Sequence, residues 1–151
     1  MSTCRSAAFS QSCAPAFTFL GFTFRTRTAR SKGGQLFASF QPAISNDARN
    51  KISEQIRRWR LHRRIGLTLA EIARLTNPVV RGCMQYYGAS YRSALYPLLS
   101  RINAYLMRWI RKKYKRLRTI RKAAACWQCV TSQHPRLFAH WAWARGYWWS
   151  G

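Results

Sequence analysis

The chain has 151 residues, with 27 Lys and Arg against 3 Asp and Glu and a formal net charge of +24. It is 48% hydrophobic and 15% aromatic, with 7 Trp, which excludes a disordered basic tail, because such segments are poor in these residues. An excess of one sign this large calls for a polyanionic partner, and the dominance of Arg, whose planar fork matches phosphate oxygens and stacks on bases, favours nucleic acid.

No apolar run approaches the ~20 residues that a spanning helix needs. Met1 to Pro15 carries a single charge, Arg5, and no continuous apolar segment, so a secretory signal is not expected. Five Cys without regular spacing argue against a disulfide framework and for a reducing interior. Cys126 and Cys129 form a C-x-x-C with His134 and His140 downstream. They lie in an Ala-rich helical run without a second Cys pair, so small thiols on a helix are the expectation and no metal is assigned.

Residues 1–16 show no assignable pattern. From Phe17 to Arg25, aromatic and small or polar residues alternate apart from the Leu20-Gly21 step, which is a strand period. Thr26 to Gly34 reads as a basic loop, Gln35 to Phe40 as a second strand, and Pro42 as its end. The expectation is a β-hairpin over 17–43.

From residue 44 to 141 the pattern is helical. Ser45, Asn46 and Asp47 supply an N-cap and a negative charge for a helix over Ala48 to Arg64. That helix puts Ile52, Ile56 and Trp59 on one face, and Gly66 ends it. Thr68-Leu69-Ala70-Glu71 is a capping box opening a short helix with Leu69, Ile72 and Ala73 inward. Thr76-Asn77-Pro78 stops it, and Pro78 opens the next, which runs to Gly88. The longest helix spans Ser93 to Leu117, with Leu95, Leu98, Leu99, Ile102, Tyr105, Leu106 and Trp109 at three- and four-residue spacing. A last helix, Thr119 to Gln133, carries Ile120, Ala123, Trp127 and Val130. Leu137, Phe138 and Trp141 fold back on the bundle, and 142–151 is an aromatic tail without periodicity. The fold class is therefore mainly α, an N-terminal β-hairpin followed by a helical bundle.

The densest basic cluster is Arg108, Arg111, Lys112, Lys113, Lys115, Arg116, Arg118, Arg121 and Lys122. A solvated helix face normally mixes signs to gain i,i+4 pairs. Here no acid is interspersed, because Asp47, Glu54 and Glu71 are all far upstream. Bound phosphate would relieve the repulsion. A second group, Arg25, Arg27, Arg30 and Lys32, is joined by Arg57, Arg58, Arg60, Arg63 and Arg64 of the first helix. It serves either binding or solubility. Tyr86, Tyr87 and Tyr91 belong either to the core or to base stacking, whereas Trp59, Trp109 and Trp127 are assigned to the core.

Catalysis is not expected. Three separated carboxylates do not make a paired or two-metal site. The three His have no Ser or Cys partner in a recognisable arrangement, and Gly33-Gly34 is no phosphate loop. Neither a cofactor nor a small-molecule substrate is implied. A membrane-surface role would need a free apolar helix face, and the apolar faces here are required by one another.

Four stretches in order resemble group II intron reverse transcriptases. Phe17 to Phe22 is similar to the F-x-F-L-G-[FY] segment at the end of the palm. Asn77 to Gly82 with Tyr86-Tyr87-Gly88 resembles the stretch N-P-x-[IVL]-R-G-W-x-x-Y-[YF]. Leu106 to Lys115 resembles the helix L-x-R-W-x-R-x-K-[YF]-[KR], and Leu137 to Trp141 the closing L-F-[AV]-H-W. The resemblance implies the helical thumb and maturase region, domain X, which grips intron RNA and stabilises its splicing-competent fold while the RNA supplies the active site. It places the hairpin near the primer-template grip, and the chain in a bacterial cytoplasm or an organellar interior. The F-x-D-D palm motif and the fingers are absent, so polymerase activity is not expected and a separate palm and fingers polypeptide becomes a candidate partner. Cys83 stands where the motif has Trp, no Cys-rich endonuclease segment follows Trp141, and Met1 to Ala16 matches nothing. The alternative is a non-functional truncated remnant of a mobile-element reverse transcriptase.

Overall fold

The computed structural model describes residues 16–143; most of the aromatic tail and nearly all of 1–16 lie outside them. The fold is mainly α, preceded by a small antiparallel sheet. The sheet has strands β1 (Phe17–Phe19), β2 (Phe22–Arg30) and β3 (Leu36–Ile44) in that spatial order. The helices are α1 (Asn46–Arg58), α2 (Leu69–Gly88), α3 (Tyr96–Lys113) and α4 (Ile120–Gln133). Short 3₁₀ turns cover Leu61–Arg63, Arg92–Leu95, Lys115–Leu117 and Ala139–Ala142. No helix among the described residues is long and apolar enough to cross a membrane.

The expected hairpin is a three-stranded meander. Leu20 and Gly21 both adopt positive φ, 49° and 79°, making the two-residue turn that suits right-twisted strands. A Cβ on Gly21 would also press on the Tyr87 hydroxyl at 2.9 Å. The basic stretch expected as a loop is strand through Arg30, because Thr26-Arg27-Thr28 continues the two-residue alternation of Phe22 to Arg25. Pro42 lies within β3, opposite Phe24. β3 pairs on one side only, and an edge strand tolerates Pro.

The tyrosines left open by the sequence dock this sheet onto α2. Tyr86 Oη donates to the Leu20 carbonyl at 3.0 Å, and the Phe22 ring lies 5.2 Å from both Tyr86 and Tyr87. Arg27 covers the Tyr91 ring. The face of the sheet that bears Phe22, opposite Arg27, also carries Phe17 stacked on Phe24 at 4.9 Å and Phe24 on Phe40 at 6.1 Å. Phe17, Phe19, Leu36 and Phe40 remain exposed there.

Ser45 caps α1 through its side chain, accepting from the Ala48 amide at 3.2 Å. The helix stops at Arg58, not at Arg64. Arg60 is left-handed, with φ 46° and ψ 42°, and this kink turns Leu61 into the core at 1% exposure. The Thr68–Glu71 capping box is present. The stop expected at Pro78 is not, because α2 runs through it. Ile72, Thr76, Val80, Met84 and Gly88 are buried at four-residue spacing across the proline. One packed face in phase on both sides outweighs the roughly 3 kcal/mol an interior proline costs. α3, expected to be the longest helix, is shorter than expected and shorter than α2, with Leu95 in the preceding turn and Lys115 to Leu117 in the following one. Pro97 opens α3.

The core gathers Trp59, Trp109, Trp127, Phe138 and Trp141 with the leucines and isoleucines of α3. Ile120, expected inward, is 57% exposed at the first residue of α4. The closing segment is clamped by two asparagines. Asn77 donates to the Leu137 carbonyl at 2.9 Å and accepts from the Ala139 amide at 3.0 Å. Asn103 Oδ1 accepts from Trp141 Nε1 at 3.2 Å and bonds His140 Nε2 at 2.8 Å. If that oxygen accepts from both rings, the His140 hydrogen on this side is carried by Nε2.

Burial lowers the His140 pKa to about 3, against 6.5 for a free imidazole. The unfolded chain therefore takes up this proton first. The stability this group contributes is fully present above pH 6.5 and is lost as pH falls toward 3. The limiting slope is about 1.4 kcal/mol per pH unit. Denaturant titrations between pH 7 and 4 are expected to show this slope in the parent and a shallower one in His140→Gln, which keeps a donor for Asn103. Equal slopes would assign the acid sensitivity elsewhere.

Candidate nucleic-acid interface

Two basic clusters more than forty residues apart along the chain meet at His62. Arg60 and Arg63 flank it on the kinked turn after α1, and Arg108 and Lys112 approach from α3. The imidazole stacks on Tyr105, 5.5 Å between centroids and 19° between planes. Desolvation lowers its pKa first, and then the charges of Lys112, Arg63, Arg108 and Arg60. Every charge acting on it is positive. Arg108 in turn lies over the Tyr105 ring at 5.7 Å, which spreads the guanidinium along the helix surface.

The scaffold under this face is tied together by a buried indole and by side-chain bonds to backbone carbonyls. Trp109 is 1% exposed and its Nε1 donates to the Arg64 carbonyl at 2.8 Å, joining α3 to the turn. Arg64 Nε donates to the Trp59 carbonyl at 2.9 Å. Lys113 Nζ donates to the Leu67 carbonyl at 2.6 Å and lies 4.8 Å from the Trp109 ring centre. Arg111 Nε donates to the Arg118 carbonyl at 2.9 Å, closing the turn into α4. Arg64, Lys113 and Arg111, read from the sequence as RNA contacts, thus hold backbone carbonyls as well. Arg58 is paired with Glu54 at 2.8 Å, and Arg57 reaches Ser53 Oγ at 3.5 Å.

Lys115, Arg116 and Arg118 are exposed on the turn after α3, and Arg121 and Lys122 on the first turn of α4. That helix begins without a side-chain cap bond and without an acid in its first turn. Basic residues oppose the helix dipole there, whereas an anion would complement both. Arg25 and Arg27 lie on one face of β2 and Arg30 on the other, so the structure does not gather this group. Lys32 is exposed in the turn to β3. Arg27 is half-buried over Tyr91, its Nε without a hydrogen-bond partner.

The sequence reading passed over His62 as part of the basic face and counted Tyr105 only among the apolar residues of α3. A His inside the run Arg60 to Arg64 and a Tyr one turn before Trp109 were the available signals. Cys126 is half-buried and Cys129 exposed on α4. Among the described residues no three His, Cys, Asp or Glu side chains are grouped to hold a metal ion.

Residues 49–127 match the family model described as group II intron, maturase-specific domain. No curated protein and no solved structure matches the chain. The matched segment takes in most of α1, all of α2 and α3 and the first half of α4, including every residue of the basic cluster around His62. It covers more than half of the chain, and the protein belongs to the group II intron maturase-specific domain family.

Proposed function

We propose that the chain binds structured group II intron RNA through the face centred on His62 and stabilises the RNA fold for splicing. The observation that carries this is the convergence of Arg60, Arg63, Arg108 and Lys112 on one point with no carboxylate among them. Like charges gathered on a rigid frame repel in the free protein, and phosphates relieve that repulsion while releasing counterions. Lys115, Arg116, Arg118, Arg121 and Lys122 extend the surface past the uncapped start of α4.

The reading is tested by filter binding of a folded intron RNA across a salt series. Each phosphate contact contributes a slope of about −0.7 to −0.9 in log affinity against log salt, so the four central cations alone give about −3. A flat response removes the electrostatic basis of the proposal.

The family matched is the maturase-specific domain and not the polymerase palm. We therefore expect no polymerisation. Primer, template, nucleotides and magnesium incubated with the purified chain should yield no extended product, and extension would overturn the non-enzymatic reading. The exposed apolar face formed by Phe17, Phe19, Leu36 and Phe40 supports a separate palm and fingers polypeptide as partner, since contiguous exposed apolar patches mark interaction surfaces. A bacterial cytoplasm or organellar interior is the compartment that fits an intron RNA ligand.

A further inference from the structure

We propose that the cleft between α1, α2 and α3 is a binding site for a small neutral aromatic molecule of about indole size. The cleft, open on one side, has a volume of about 220 Å³. Its floor is Trp59, Leu98, Leu99 and Ile102, all buried, and α2 supplies Val79, Val80 and the half-buried Cys83 as one wall. Lys51 and Gln55, both exposed on α1, stand at the mouth.

Protein interiors leave few voids larger than a water molecule, and the lining of an unfilled one forfeits dispersion contacts. Water does not restore them here. It needs two to four polar partners, and the interior of the cleft offers a single thiol. Dry cavities of about 150 Å³ lined by aliphatic and aromatic side chains take up benzene, so this one has room for a fused two-ring compound. The lining selects for a flat neutral ring. Trp59 presents an aromatic surface for stacked or edge-on contact, and the Cys83 sulfur is a soft neighbour for a ring edge. A charged ligand would lose its hydration without a partner inside. Gln55 and Lys51 leave a place at the rim for one polar atom, such as an indole nitrogen facing the Gln55 amide oxygen. The site is separate from the basic face, and its test contains no RNA.

The probe is indole, added to the whole chain. Burial raises the Cys83 pKa, so alkylation by iodoacetamide is followed at mildly alkaline pH with peptide-resolved mass spectrometry. At ten times the dissociation constant, mass action slows modification of Cys83 about tenfold. Cys129, exposed on α4, reacts at an unchanged rate. The melting temperature rises with indole in the same concentration range. Cys83→Trp fills the cleft from its wall and removes the indole response, and Cys83→Leu provides the same comparison should the larger side chain prevent folding. The proposal is overturned if millimolar indole leaves both the Cys83 rate and the melting temperature unchanged. It is equally overturned if the folded variants keep the parent's melting response to indole.

Discussion

Replacing Arg60, Arg63, Arg108 and Lys112 together by Gln lowers affinity for structured RNA by on the order of 10²–10³ at physiological salt and reduces the salt slope by about 3. The melting temperature holds or rises, because four like charges around His62 are removed and, among the described residues, their side chains hold no backbone carbonyl as those of Arg64, Arg111 and Lys113 do. Arg60 offers a sharper separation. It occupies a left-handed conformation that costs a non-glycine residue roughly 1–2 kcal/mol, a strain of the kind that collects at functional sites. Arg60→Gly relieves the strain and deletes the charge, so stability is kept while affinity falls. Arg111→Gln behaves in the opposite sense, loosening the turn into α4 by releasing the Arg118 carbonyl. Paired melts and RNA titrations on the three variants check this. RNA bound as tightly by the fourfold variant as by the parent would move the binding surface away from His62.

The second large effect is on the fold. Trp109→Ala is expected to cost about 3–5 kcal/mol, a major part of the ~5–15 kcal/mol that stabilises a small domain. The indole is 1% exposed, donates to the Arg64 carbonyl at 2.8 Å, meets Tyr114 edge-on at 6.2 Å and carries Lys113 on its face. Trp109→Phe keeps most of the packing and loses the hydrogen bond, so a smaller loss of about 1–2 kcal/mol is expected. Urea denaturation of the three proteins measures both steps. A loss below about 1 kcal/mol for the alanine variant would mean that α3 is held to the turn after α1 by something else.

Much of this architecture was legible because its signals are local. Ser45 as cap, the Thr68–Glu71 box and the apolar spacing of α3 are properties of a few adjacent residues, and each stands where the pattern placed it. The errors came where distant residues decide. Nothing in Trp59-Arg60-Leu61 marks a left-handed arginine; the reward is Leu61 in a core built by α2 and α3. Pro78 reads as a stop until the buried face on both sides of it is seen to be continuous. Thr26 to Arg30 reads as a loop by its charge, although the two-residue alternation that makes it strand is present. The basic residues were found by type. That Arg60 and Arg63 face Arg108 and Lys112, while Arg64, Arg111 and Lys113 bind backbone carbonyls, is set by how α3 crosses the turn after α1.

The asparagine clamps also constrain the order in which the domain can be completed. Asn77 bonds to residues 60 and 62 positions further along, and Asn103 reaches 37 and 38 positions ahead. Closing loops of that length is entropically costly until the last contacts form. During synthesis the helices carrying both asparagines leave the ribosome well before Leu137 to Trp141. Until those residues follow, Phe138 and Trp141 are missing from the core and two side-chain amides lack the partners they will bury with. A nascent chain therefore presents its basic residues before it owns a finished frame to hold them. On the proposed RNA-binding reading, productive engagement of a polyanion has to wait for a five-residue latch translated more than sixty codons after α2 begins.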